Sequence, residues 1–283
     1  MAAKVPNWLA LPKDITANIL SRLSTIEIVT SVCKVCPYWW NIFKDPLMWR
    51  TIHMTEYISI FCDDYQKYEY EQMFCYAVKR SCGHLEDVDI WQIATDDLLQ
   101  CIAENASNLR SMRIVGSDSI SNKGFSEAVR KLSRLEELDI SGCEPIQKDS
   151  LEVIGMSCPL LKSLKFGKTR CPYIWRYDDD DDDYDDDDDD EALIISETMS
   201  RLSCLDISGN KLTNFGLVAI LDGCPRLEHL DIQQCYNISL NENLRKRCIE
   251  QIKDLRLSIR NNYEDFDGYF NRVTYRDSIY DRD

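Results

Sequence analysis

One pattern recurs along this chain and restricts what it can fold into. Residues 135–143 read LEELDISGC, with Leu135, Leu138, Ile140 and Cys143 at the first, fourth, sixth and ninth places. Residues 227–235 (LEHLDIQQC), 202–210 (LSCLDISGN) and 109–117 (LRSMRIVGS) repeat it, and 85–93 and 161–169 are looser copies. The first leucines fall at 85, 109, 135, 161, 202 and 227, in steps of 24, 26, 26, 41 and 25 residues. Within one copy the spacing fits neither the 3.6 period of a helix nor the strict alternation of a full strand. Between copies, a period near 25 residues marks a solenoid, built from one short supersecondary unit repeated. A single unit cannot bury its apolar face, but stacked units share one core.

Each part of the unit has a physical role. A short strand carries the inward side chains, such as Leu138 and Ile140. The ninth place (Cys143, Asn210, Ser117) can hydrogen-bond turn backbone that would otherwise be buried without a partner. A helix then returns, with Leu151 and Ile154 at helical spacing, and closes at MSCPLL (156–161) or DGCPRL (222–227). Gly, Cys and Pro in those closures are helix stops. The pattern resembles the cysteine-containing class of leucine-rich repeats over 85–259, with Ile252, Leu255 and Leu257 as a seventh copy. The resemblance implies an α/β fold: a right-handed, ribonuclease-inhibitor-like partial horseshoe of six to seven repeats.

Composition narrows the function classes. The chain has 283 residues, 44% of them hydrophobic, and a formal net charge of −16. The segment 178–191 holds twelve Asp and Glu191, so the rest of the chain is close to neutral. No basic patch is present of the kind nucleic-acid phosphates require. No run of eighteen apolar residues indicates a membrane span, and the first residues lack a secretory signal. Thirteen cysteines, many at repeat-core places, read as reduced thiols of an intracellular protein, in the cytoplasm or nucleus. Cys33 and Cys36 have Cys-x-x-Cys spacing with His53 beyond, but a second pair is missing and a structural zinc site needs four ligands. No metal or other cofactor is expected, nor a catalytic constellation. The aspartate tract repels itself and is expected to be a disordered insertion, 177–191, that contributes nothing to the fold. It lengthens the connection between the fourth strand and its helix. The tail 260–283 has no repeat phase and is expected to be disordered.

Ahead of the repeats, residues 9–54 are dense in apolar side chains and hold Trp39, Trp40 and Trp49. So small a unit rarely supports its own core, which points to burial against a partner. The series Leu11-Pro12, Ile15, Ile19-Leu20, Leu23, Ile28-Val29, Trp39 and DPLMW (45–49) resembles the F-box of plant F-box/leucine-rich-repeat proteins. Its Val-Cys pair is Val35-Cys36 or Val32-Cys33. EQMFCYAVKRSCGHL (71–85) also resembles that subfamily, as the helix leading into the first repeat. The organisation read this way is 1–54 F-box, 55–84 linker and leading helix, 85–259 repeats.

The resemblance implies a non-catalytic substrate receptor of an SCF (Skp–cullin–F-box) ubiquitin ligase. Leu11, Pro12, Ile15, Ile19, Leu20, Ile28, Val29, Trp39 and Trp49 would meet the Skp-type adaptor, and through it the cullin and RING subunits. The repeats would hold a protein substrate. Strand alternation turns the residues flanking the inward pair outward. That assigns Asp87, Asp89, Trp91, Arg113, Glu137, Asp139, Lys165, Asp206, His229 and Asp231 to the substrate face. Its carboxylates outnumber its cations, so a partly basic substrate is expected. The competing class is an acidic repeat protein that binds basic clients without any ligase, which would have no use for the F-box residues.

Overall fold

The structure, a computed structural model, describes residues 10–54, 64–168 and 189–257. Eight parallel strands form one sheet in chain order: β1 (Thr51–Met54), β2 (Asp87–Trp91), β3 (Ser111–Val115), β4 (Glu137–Asp139), β5 (Ser163–Lys165), β6 (Cys204–Asp206), β7 (His229–Ile232) and β8 (Asp254–Leu257). Helices α4 (Asp64–Arg80), α5 (Asp96–Asn105), α6 (Asn122–Val129), α7 (Lys148–Ser157), α8 (Asp190–Thr198), α9 (Asn214–Gly223) and α10 (Glu242–Gln251) make the crossovers. Parallel crossovers of one hand carry all the helices to one face and leave the other open. This is the α/β solenoid expected from the repeat period.

Register sets the core. Ile52, Val88, Met112, Leu138, Leu164, Leu205 and Leu230 lie side by side across the strands, each at most 1% exposed. Leu255 continues the row on β8 and is only half-buried, because no described strand follows it. Three ninth-place residues bond backward to the preceding repeat, whereas the expected turn bond of Asn210 is not made and its Oδ1 is buried without a partner among the described residues. The Cys143 thiol donates to Ile114 O at 3.4 Å, the Cys235 thiol donates to Ile207 O at 3.3 Å, and Ser117 Oγ accepts from Ala94 N at 3.3 Å. Burial pushes both thiols up to about 11, so they remain protonated donors at neutral pH.

One added strand and one boundary differ from the sequence reading. The sheet starts at Thr51, inside the segment assigned to the F-box, because Ile52 and Met54 turn inward and pair with Val88 and Ile90. The acidic insertion also ends earlier than expected. Asp190 and Glu191 open α8, held by Lys148 Nζ on Asp190 and Lys168 Nζ on Glu191, each at 2.7 Å. Asp189 belongs to a lateral series at the helix starts. Asp96 accepts from Ser121 N (2.7 Å), Asn122 from Gln147 N (3.2 Å), Asp189 from Thr213 N (2.8 Å) and Asn214 from Ser239 N (2.9 Å). The last three residues of the acidic segment are therefore part of the fold. The expectations for 177–188 and for 260–283 lie outside the described residues.

Helix α8 is also gripped from both sides by glycines. A Cβ on Gly155 of α7 would stand 2.1 Å from Thr198 Oγ1, and one on Gly223 of α9 would stand 2.2 Å from Ser196 O. Close approach of three helices is possible only without those side chains.

Asp189→Ala removes a charged acceptor from Thr213 and should destabilise the fold by about 1–2 kcal/mol, a fall in Tm of several degrees. Thermal denaturation followed by circular dichroism measures it. An unchanged Tm would return Asp189 to the passive tract.

Candidate functional site

The first candidate surface lies on three short helices: α1 (Lys13–Leu20), α2 (Thr25–Thr30) and α3 (Pro37–Ile42). Pro12 stands just before α1, where its missing N–H costs nothing. Ser24 and Glu27 form a reciprocal cap at the start of α2. Ile15 and Ile19, four apart on α1, are 47% and 39% exposed, while Thr16 and Leu20 turn inward. Pro12 is exposed, and Leu11, Val29 and Trp39 are half-buried. Leu20, Ile28 and Trp49 are not on the surface: they are 3%, 6% and 2% exposed. They turn inward with Val32, Ile42 and Phe43 to make the core of the helical segment. Conversely, Val35 and Leu47 are 59% and 56% exposed and were not among the expected contacts. Both stand in stretches that carry the F-box resemblance, Val35-Cys36 and DPLMW, but only their exposure singles them out.

Trp49 joins the helical segment to the sheet. Its Nε1 donates to Phe43 O at 2.9 Å, and its ring stands edge-on to Tyr76 of α4 at 6.3 Å. Arg80, at the end of α4, donates to the same carbonyl at 2.8 Å and stacks over Trp40 and Tyr76 at 5.5 and 5.7 Å. From Trp49 the chain runs through Arg50 straight into β1. There the His53 N–H reaches back to Thr25 Oγ1 at 3.2 Å. The helical segment and the repeats are thus one packed body. His53 Nε2 meets Asp87 Oδ2 at 3.3 Å. That hydrogen bond raises the imidazole above its ordinary 6.5, assisted by the charges of Asp87 and Asp89 and opposed by burial.

The second candidate surface is the open face of the sheet. Parallel register builds two outward rows. One runs Thr51, Asp87, Ser111, Glu137, Ser163, Cys204, His229, Asp254. The other runs His53, Asp89, Arg113, Asp139, Lys165, Asp206, Asp231, Arg256. Nine of the ten residues assigned to this face stand in these rows, and the tenth, Trp91, lies two residues beyond Asp89 on β2. The second row largely neutralises itself. Arg113 lies 3.7 Å from Asp89 and 3.3 Å from Asp139, Lys165 lies 3.9 Å from Asp139, and Arg256 lies 3.6 Å from Asp231. Asp139, expected to be exposed, is buried beneath its two cations.

The recurring aspartate also has a structural task. Oδ1 of Asp139, Asp206 and Asp231 accepts the N–H two residues on, from Ser141 (3.1 Å), Ser208 (3.0 Å) and Gln233 (3.0 Å). Such a turn closes the strand with the side chain in place of backbone. Burial raises the Asp89 and Asp231 carboxyls above the ordinary range, partly offset at Asp89 by Arg113 and at Asp231 by the Gln233 N–H. Among the described residues no group of three His, Cys, Asp or Glu is placed to hold a metal ion.

Comparison with known proteins follows this division. The F-box-like family pattern matches residues 8–55. Putative F-box/LRR-repeat protein 23 of Arabidopsis thaliana is 44% identical over 257 residues, 89% of this chain and 54% of that protein. F-box protein SKIP19 of the same plant is 43% identical over 250 residues, 88% of this chain and 76% of that protein. The chain belongs to the F-box/leucine-rich-repeat proteins. It spans about half of the first of these relatives and three quarters of the second. Among solved structures, the Rad7 and Elc1 complex in yeast holds a chain of similar fold, with TM-score 0.52 at 16% identity, over 81% of this chain and 51% of that one.

In this F-box/leucine-rich-repeat protein the junction carries a titratable contact, and its sign follows from the raised imidazole. The contribution of His53 is complete below pH 6.5 and is lost as pH rises through its own higher pKa. A proton NMR titration should place His53 above 6.5, and Asp87→Asn should bring it back down. An unmoved midpoint in that variant would remove Asp87 as the cause.

Proposed function

We propose that this chain is the substrate-receiving subunit of an SCF ubiquitin ligase, bound to a Skp-type adaptor by the helical segment and to a protein substrate by the open face of the sheet. The observation that carries the reading is a pair of isoleucines, Ile15 and Ile19, left exposed on α1 within a segment of the F-box-like family. Exposed aliphatic pairs on a short helix are costly in water and gain by burial against a partner. The junction through Trp49 and Arg80 supports it further, since a rigid body keeps the distance between its two surfaces constant. The mechanism is proximity: a held substrate lysine meets activated ubiquitin as an effectively intramolecular partner. This chain makes and breaks no covalent bond, and the transfer chemistry belongs to other subunits. A reducing compartment, the cytoplasm or the nucleus, is part of the same proposal, supported by eleven free cysteines among the described residues.

The test is a pull-down with a purified Skp-type adaptor. Ile15→Asp with Ile19→Asp should abolish capture while the circular dichroism spectrum and Tm stay unchanged, because both side chains already face water. Full capture by the folded double variant would sink the reading of α1 as the adaptor surface.

A further inference from the structure

We propose that the open face reads an extended protein segment at two separated points: one lysine or arginine seated between Asp206 and Asp231, and one aromatic or aliphatic side chain against Trp91 and Val115. This rests on the open face being the substrate surface, and names the substrate class it selects.

The first point comes from a fault in the charged row. From Asp89 to Asp206 the sign alternates strand by strand: Asp89, Arg113, Asp139, Lys165, Asp206. The next step, Asp206 to Asp231, sets two carboxylates in register. Neighbouring strands are about 4.8 Å apart, and like charges directly opposite repel. Asp231 has Arg256 at 3.6 Å on its far side. Asp206 takes hydrogen bonds only from its own turn, the Ser208 N–H at 3.0 Å and hydroxyl at 2.7 Å, and forms no ion pair among the described residues. The turn does not require a charge, because asparagine accepts the same bond. Two carboxylates are therefore kept together where amides would serve the fold, and a cation arriving from outside restores the alternation.

The second point is independent of charge. Trp91 and Val115 are in register at the other end of the face, and both are half-buried. The indole is set before any partner arrives, since Nε1 donates to Asp89 Oδ1 at 2.9 Å and the Arg113 guanidinium covers the ring at 5.2 Å. An anchored tryptophan in a polar surround is a common centre of binding energy. Four strand spacings separate the two points, about 19 Å at 4.8 Å each, which an extended segment covers in about six residues at 3.3 Å per residue. Glu137 and Asp87, in the other outward row, lie off this line.

Random short peptides displayed on phage and panned against the full chain, with and without the adaptor, test the proposal. Enriched peptides should carry Lys or Arg five or six places from an aromatic or aliphatic residue. Asp206→Asn with Asp231→Asn should weaken their affinity by about tenfold or more and erase the Lys/Arg preference, with Tm held or raised because the turn bonds persist. Trp91→Ala should erase the apolar preference and leave the basic one. Glu152→Gln, exposed on α7 behind the sheet, should change neither. Absence of enrichment, an unchanged double variant, or equal loss in Glu152→Gln, the mark of a diffuse charge effect, would overturn it. Loss of adaptor capture alone would instead strike the F-box reading, because peptide selection is also scored without adaptor.

Discussion

Backbone pairing between successive parallel strands governs the whole molecule, because it sets the same place of every repeat side by side. A row of inward aliphatics then closes without gaps, from Ile52 to Leu230. The same rule forces polar places to solve their problems laterally. Thiols reach back to carbonyls one repeat earlier, and a carboxylate or amide at one helix start accepts from the next. Outward charges are brought into contact whether or not they suit each other, which is why the signs along the second row carry information. In a fold with scattered strand order, the same residues would be isolated surface charges of small effect.

The helical segment is not appended to this array but built into it. Two donors, Trp49 Nε1 and Arg80 Nη2, converge on one carbonyl, Phe43 O. The Arg80 guanidinium bridges Trp40 of α3 and Tyr76 of α4, and the Trp49 ring abuts Tyr76. Under the function proposed above, such a joint is an advantage, since freedom between the two surfaces would dilute the effective concentration of a held lysine.

Much of this was legible from residues alone. The repeat period, the inward pair in each strand and the outward alternation follow from spacing, because each repeat obeys the same local rule. What escaped reading depends on contacts far apart in the chain. The strand Thr51–Met54 is short and lacks a leading leucine, so only its pairing with Asp87–Ile90 defines it. Asp189 is one of twelve aspartates in a run, and nothing local distinguishes the one that holds Thr213. Asp139 loses its exposure to cations contributed by both neighbouring strands. Leu20, Ile28 and Trp49 fit the F-box series as well as Ile15 and Ile19 do; the direction each side chain faces, set by packing, separates core from surface.

The position of β1 bears on how the two halves can be taken apart. A truncation that removes the whole helical segment through residue 54 also strips the first strand, leaving Val88 and Ile90 on a raw β-edge with unpaired backbone groups. Such a fragment would invite sheet-to-sheet aggregation, and its behaviour in cells would report damaged folding as much as loss of the proposed adaptor surface. Surface substitutions on α1 separate the two effects, because they leave the first strand in place.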